Sequence, residues 1–363
     1  MKTRHLATSP KPDLNGGSLP PQVSDDLRAA AGPEERGESP VSRSIEVLRK
    51  AGLLRDDGSA NPIRTVRALI QMGAANLSVG RLWEGHVNAT HLIHLYGSAA
   101  LQRTVDARIA KGGLLGVWGA DGPVPVTLDA SGTRLEGSKC FASGLGTVSH
   151  AVVSVGSDAG VRLALVDVGD ADRADASCWK MQGMRATASG SYDFSGLSVE
   201  DWIGEPDDYL REPHFVGGVW RIAALQAGAA IGLLDRAASE LRAMGRMQAE
   251  AQQARLMAVL MRAWAGAALT ERAAQVSVDT SLEAEQIVAT SIAARLFTEE
   301  VGLDAIRAVE QSIGLRHFES SSETGRMARD LSVYLRQAAR DAFLQRAARQ
   351  ALVQDDRAWG VWG

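Results

Sequence analysis

Cysteine is nearly missing from this chain: Cys140 and Cys178 are the two in 363 residues. Two thiols are too few for a disulfide framework or a cysteine metal centre, and a reducing, cytoplasmic setting is the expectation they leave. Aromatic residues are also scarce, at 5%, and no stretch carries the signature of an aromatic-rich pocket. An excess of one charge is absent too. The 39 basic and 43 acidic side chains give a formal net charge of −4, which offers nucleic acid or an anionic membrane no electrostatic attraction. No apolar run approaches the ~18 residues needed to span a bilayer. The start, "MKTRHLATSPKPDLNGG", is basic but lacks the apolar core of a secretory signal. No repeat of fixed period is visible.

What remains is ordinary for a globular protein: 45% hydrophobic and 23% charged residues, in a chain long enough for two or three packed layers. Residues 1–42 are rich in Pro, Gly, Ser and charge and poor in aliphatics, so they are expected to form a disordered tail. From 43 to 112 the apolar residues recur at three and four, most plainly Ile63, Val66 and Ile70. That spacing predicts helices, with Gly52, Gly73, Gly97 and Gly112 where they would stop.

The texture changes at 113–202 to short β-prone runs between Gly, Asp, Ser and Pro. "AVVSV" and "VRLALVDV" alternate as half-buried strands do, with "GSDAG" between them. A further strand pair is expected around "ASCWKM" and "SYDFSGLSV". From 203 to 363 the chain is helical again, as four amphipathic segments suited to a four-helix bundle. The fold class expected is thus α+β and multi-domain: an N-terminal helical domain, a central β-barrel-like domain and a C-terminal four-helix bundle.

Several local patterns carry no chemistry alone. "LWEGHVNATHLIHLYG" collects Glu84, His86, His91 and His94, but His91 and His94 lack a third well-placed ligand, so no metal site is expected. "GLGTVS" lacks the third glycine and the βαβ setting of a dinucleotide fingerprint.

In order along the chain, "LEGSKCFASG", "MQGMRATASGSYDFSGLSV", "VEQSIG" and "RMARDLSVYL" resemble successive segments of the acyl-CoA dehydrogenase family, over about residues 43–353. The resemblance implies FAD bound between the β-domain and the bundle. An isoalloxazine ring needs an apolar wall and a donor at its N5 edge. By the resemblance Phe141 is that wall and Ser143 that donor; two apart on one strand, they would face the same side. Val117 and Trp118 would take the flavin-edge positions of the preceding loop. Gln311 and Gly314, with Arg242 or Arg246, would bind the adenine end across a subunit boundary. His86 and Asn88 would be polar groups of the pocket, or else ordinary capping and packing residues.

The family's catalytic glutamate has no counterpart. Gln337 and Ala338 stand where its Tyr-Glu pair would fall, and Trp220 precedes Arg221 at the alternative position. Asp341 is the nearest carboxylate, and on a continuous helix it would share a face with Ala338. Arg221, Gln337 and Arg336 could orient a substrate carbonyl or carboxylate. The resemblance implies FAD-dependent oxidation of a small acyl substrate, possibly a CoA thioester, by proton abstraction and hydride transfer to N5. It also implies an electron acceptor and a homodimer or homotetramer. The missing base leaves two alternatives open: a flavin-dependent monooxygenase or oxidase of the same fold, and a non-catalytic binding or scaffold subunit.

Overall fold

The structure is a computed structural model that describes residues 19–55, 61–354 and 358–362. Five helices open it: α1 (Pro21–Arg36), α2 (Ser42–Lys50), α3 (Pro62–Ala75), α4 (Leu77–Tyr96) and α5 (Ala99–Ala110). Side chains fix where they begin. Asn61 accepts from the Arg64 N–H, Asn76 from Val79 and Ser98 from Leu101, each satisfying a first-turn donor that the helix leaves orphaned.

Helix α1 corrects the expected tail between residues 19 and 42; residues 1–18 lie outside the described residues. Val23, Leu27 and Ala31 recur every four residues and are buried, as is Leu19. A composition averaged over 42 residues hides that stripe. Glu34 accepts from Ser44 Oγ (2.6 Å) and Asn76 Nδ2 (2.8 Å). Glu35 accepts from the backbone N–H groups of Arg185 (3.0 Å) and Ala186 (2.9 Å). The helix is therefore pinned to both the helical and the β regions.

The β-unit comprises β1 (Leu115–Trp118), β2 (Thr127–Leu128), β3 (Leu135–Glu136), β4 (Ser138–Ala142), β5 (His150–Ser157), β6 (Gly160–Asp167), β7 (Ala174–Asp175), β8 (Gly190–Asp193) and β9 (Asp201–Ile203). One sheet runs β3-β2-β5-β6-β9, with β1 added parallel to β5; the other runs β4-β8-β7. Strand β5 is not half-buried: residues 151–155 are all buried, as in a central strand covered on both faces. The strand expected at "ASCWKM" is instead the two residues of β7 followed by a 3₁₀ turn at Ala176–Cys178. Asp175 sets that turn by accepting from Ser177 N–H.

The remaining helices are α6 (Trp220–Ala243), α7 (Glu250–Val276), α8 (Ala284–Ile313), α9 (Glu323–Tyr334) and α10 (Arg340–Arg349). The segment Val216–Ala243, which contains α6, is long and apolar enough to cross a membrane, contrary to the sequence expectation. Its most apolar stretch is 78% buried, however, which makes it the core helix of the bundle. Gly73 does not stop α3 but lies inside it. A Cβ there would sit 2.5 Å from the Leu225 carbonyl oxygen, and one at Gly228 would collide with the Ile70 carbonyl. An interior glycine costs about 1 kcal/mol of helix propensity; here it lets the α3 and α6 backbones touch.

The fourth bundle segment is broken. Ala339 adopts φ 61°, and α10 starts after it in a new direction. Tertiary contacts override the helix-favouring sequence: Arg340 bonds Glu299 (3.1 Å) and Glu300 (3.2 Å) on α8. The Arg295 guanidinium lies 5.1 Å over the Phe343 ring.

Candidate functional site

The β-domain presents an unusual wall. Phe141 is 60% exposed and holds φ 53°, a left-handed backbone that costs a non-glycine residue ~1–3 kcal/mol and gathers at functional sites. Met184 (φ 57°) and Ala188 (φ 45°) are strained likewise, and they adjoin it: Gly144 and Leu145 donate to the carbonyls of Thr187 (2.8 Å) and Ala188 (3.1 Å). Trp179 meets the Phe141 ring edge-on, centroids 6.4 Å apart. Ser143 Oγ accepts from Ser189 Oγ at 2.9 Å, so its own hydrogen remains free to donate.

Phe141 and Ser143 do not share a face by strand alternation, as was expected. Strand β4 ends at Ala142, its register shifts between Lys139 and Ala142, and the φ of Phe141 breaks the pleat. Trp118 is also corrected. Its ring is buried against Tyr192 and Phe194 (centroids 5.4 and 6.3 Å) and its Nε1 donates to the Ser143 carbonyl at 3.0 Å. It props the wall from behind. Val117 is half-buried on the same strand. The following loop is fastened by Lys139, a fully buried lysine whose Nζ reaches Asp121 Oδ1 (2.5 Å), Ser154 Oγ (2.8 Å) and the Gly119 carbonyl (3.4 Å). Burial lowers its pKa, which the Asp121 carboxylate opposes.

On the helical side a polar cluster joins α4, α6 and α9. Glu84 and Asn88, one turn apart on α4, face Arg221 on α6: Nη2 donates to Asn88 Oδ1 at 2.7 Å, and Nε lies 3.6 Å from Glu84 Oε1. The other Glu84 oxygen accepts from Arg81 at 2.7 Å. Burial lowers the pKa of Arg221, which the Glu84 carboxylate opposes, and raises that of Tyr334, which the same carboxylate reinforces. Tyr209 links this cluster to the β-domain. Burial raises its pKa, with Arg221 and Glu84 in electrostatic reach, and its hydroxyl approaches Gly119. Beside Arg221 opens a cavity of about 380 Å³ lined by Val87, His91, His214, Trp220 and the 277–287 segment, among others.

The other expected site residues lie elsewhere. Asp341 is a surface residue, its side chain 89% exposed and 3.6 Å from Arg340. The break before α10 removes the helix face it was to share with Ala338. Gln337 turns back, donating to the Tyr334 carbonyl at 2.7 Å, and Arg336 is exposed. Arg242, Arg246 and Gln311 are exposed at the ends of α6 and α8, with Gly314 half-buried. These two helix ends adjoin, since Arg316 Nη1 lies 3.3 Å from Met244 Sδ. His86 is a satisfied core histidine: Nε2 bonds the Leu54 carbonyl (2.7 Å) and Nδ1 accepts from Leu115 N–H (3.0 Å). Its burial pulls the pKa down to about 4. His91 faces His214 (centroids 5.9 Å), and His94 pairs with Asp106 (3.1 Å). Glu84, Tyr209, Tyr334, Lys139 and Trp179 were not singled out as site residues. The i,i+4 spacing of Glu84 and Asn88 was the available signal.

No protein-family model matches the chain, and no curated protein sequence matches it. Solved structures do. TdsC from Paenibacillus sp. A11-2, in complex with FMN and indole, superposes with a TM-score of 0.79 at 17% identity, over 94% of this chain and 98% of that one. Butyryl-CoA dehydrogenase from Megasphaera elsdenii gives 0.77 at 14% identity, over 91% and 96%. Nitrososynthase from Micromonospora carbonacea var. africana gives 0.77 at 18% identity, over 92% and 94%. The chain has the acyl-CoA dehydrogenase fold.

Proposed function

We propose that the protein is a flavin-dependent oxidoreductase, and that it uses dioxygen to oxidise a compact substrate instead of dehydrogenating an acyl thioester. The observation that carries the second half is the fate of the carboxylates. Asp341 points to solvent, Gln337 is folded back on α9, and both Glu84 oxygens face guanidinium groups. No group is left in residues 335–341 to remove a proton α to a thioester. The similarity in fold to TdsC, a dibenzothiophene monooxygenase, supports this choice.

The wall suits a flavin. An exposed, strained benzyl group beside an indole and a serine with a free hydrogen match an apolar ring face and its N5 edge. Bound there, a reduced flavin supplies two electrons to oxygen. Phe141 and Trp179 would cover the ring and exclude water, Ser143 would donate at N5, and the Lys139-braced loop would hold the ring edge near Val117. Arg221 would orient the substrate.

FAD is the flavin proposed: Arg242, Gln311 and Gly314 would receive its adenosine end from a second subunit. Exposed Met257, Met261 and Trp264 along α7 supply an apolar face for the homo-oligomer this requires. The test is aerobic and anaerobic spectroscopy of the protein with FAD or FMN. Oxygen uptake driven by reduced flavin, with no response to acyl-CoA, is expected.

A second reading is favoured by one observation: Glu84 Oε1 lies 3.6 Å behind Arg221, which lines the cavity, so a shift of Arg221 would expose a carboxylate. In that case the substrate is an acyl thioester and a separate electron acceptor is needed. Anaerobic bleaching by an acyl-CoA panel, abolished by Glu84→Gln, would establish it. Protein that binds neither FAD nor FMN would establish the scaffold alternative.

A further inference from the structure

We propose that Thr187 and Ser189 are positioning residues of the flavin site. With Ser143 they form a reversible chain of hydroxyls, which lets Ser143 meet the N5 position of oxidised or of reduced flavin. For the flavin this rests on the functional reading above; the hydroxyl chain itself belongs to the fold.

The chain is continuous. Thr187 Oγ1 lies 2.6 Å from the Met184 carbonyl oxygen and 2.7 Å from Ser189 Oγ, and Ser189 Oγ lies 2.9 Å from Ser143 Oγ. Thr187 is 1% exposed and Ser189 3%, whereas Ser143 is half-buried at the outer end. The inner two hydroxyls therefore depend on the protein for their hydrogen bonds.

The segment that carries them is fixed from several sides. Asp330 accepts from Met184 N–H at 2.8 Å, and the Thr187 carbonyl accepts from Gly144 N–H at 2.8 Å. Met184 and Ala188, which flank the turn around Thr187, hold left-handed backbones. Such strain persists only where neighbouring contacts over-determine the conformation.

Counting hydrogens shows what the chain does. Each hydroxyl carries one hydrogen, and a carbonyl carries none. A partner at Ser143 completes four contacts in line, starting at the Met184 carbonyl, and the protein brings three hydrogens to them. A partner that brings its own hydrogen, as the N5–H of reduced flavin does, fills all four. Ser143 then accepts from it, turns its hydroxyl toward Ser189, and the order runs inward through Thr187 to Met184. A partner that only accepts, as oxidised N5 does, reverses the order. Thr187 then donates to Ser189, Ser189 to Ser143 and Ser143 outward; the link from Ser189 to Ser143 has this sense in the structure. The Met184 carbonyl gives up the hydroxyl but keeps the Thr187 N–H at 3.2 Å, so it is not stranded. Reversal turns hydroxyls and moves no backbone.

The experiment is anaerobic titration of the purified protein with oxidised and with reduced FMN and FAD. Each protein yields the ratio of its two dissociation constants for one flavin. Thr187→Val leaves the Ser189 hydrogen without an inward acceptor, so only the outward order remains satisfied. Reduced flavin should then weaken relative to oxidised by about fivefold, the worth of one hydrogen bond. Ser189→Ala removes the inward acceptor of Ser143 and should shift the ratio the same way, whereas Thr187→Ser should keep the wild-type ratio. Thermal unfolding confirms that the variants are folded. A merely structural role would weaken both flavin forms equally. A ratio unchanged in Thr187→Val and Ser189→Ala, or shifted as far by Thr187→Ser, would overturn the hydroxyl chain and leave the flavin reading standing. A wild type that binds neither form of either flavin would overturn both.

Discussion

At the joint of α1, the 183–187 loop and α9, Asp330 accepts from Met184 N–H (2.8 Å) and from Arg326 (2.9 Å), while Glu35 accepts two further backbone N–H groups. At the joint of α4, α6 and α9, Arg221 and Tyr334 are as deeply buried, yet the Tyr334 hydroxyl has no hydrogen-bond partner and Arg221 Nε has only the longer ion pair to Glu84 at 3.6 Å. Both clusters combine carboxylates with guanidiniums in a low-dielectric interior. The first is finished by the chain itself and reads as a clamp between layers. The second is left open toward a cavity and reads as a site. Hydrogen-bond completion, more than burial or charge, separates the two.

The largest effect expected from this contrast is at the clamp. Asp330→Ala leaves the buried Met184 N–H without its acceptor and removes one of the two carboxylates of Arg326, Glu323 remaining at 2.9 Å, and should cost ~3–5 kcal/mol of stability, measured by urea unfolding. A loss below ~1 kcal/mol would erase the distinction between the clusters.

Next is the pH dependence due to His86, which belongs to neither cluster and calibrates burial by itself. Its folded pKa of about 4 lies below the unfolded value of ~6.5. Its contribution is therefore full above pH ~6.5 and lost as pH falls toward 4, by about 3 kcal/mol. The buried carboxylates Glu35 and Asp330 have raised values from burial, so their contribution runs the opposite way and fades as pH rises. Comparing wild type with His86→Gln between pH 7 and 4.5 isolates the histidine: the variant should lose less stability on acidification.

At the open cluster Arg221→Met takes from the buried Glu84 one of its two guanidiniums, leaving Arg81, and should cost ~1–3 kcal/mol of stability. The smallest effect is at Asp341. Asp341→Asn should leave stability within ~0.5 kcal/mol and both half-reactions of the purified enzyme undiminished, as single-turnover measurements would show.

The same contrast between local and distant causes explains what could be read in the sequence. The helical spacing around Ile63, Val66 and Ile70 and the turn between Ser157 and Gly160 are local, and the structure has α3 and the β5–β6 hairpin there. Helix α1 was hidden because Val23, Leu27 and Ala31 sit among Pro, Gly and charged neighbours. The break at Ala339 was hidden because Glu299 and Glu300, which pull Arg340 away, are about 40 residues earlier in the chain. In the site, a Phe followed two residues later by a Ser was visible at 141 and 143. The left-handed turn of Phe141 that sets their directions was not. Asn88 and Arg221 meet across 133 residues, a distance that no helical or strand period reports.

The most direct test of the central claim is a flavin-binding isotherm, measured anaerobically with oxidised and reduced FAD and FMN, for wild type and Phe141→Ala. The account predicts saturable binding of about one flavin per chain to the wild type, weakened at least tenfold by the substitution. Failure of the wild type to bind any of the four, or equal binding by wild type and variant, would contradict it.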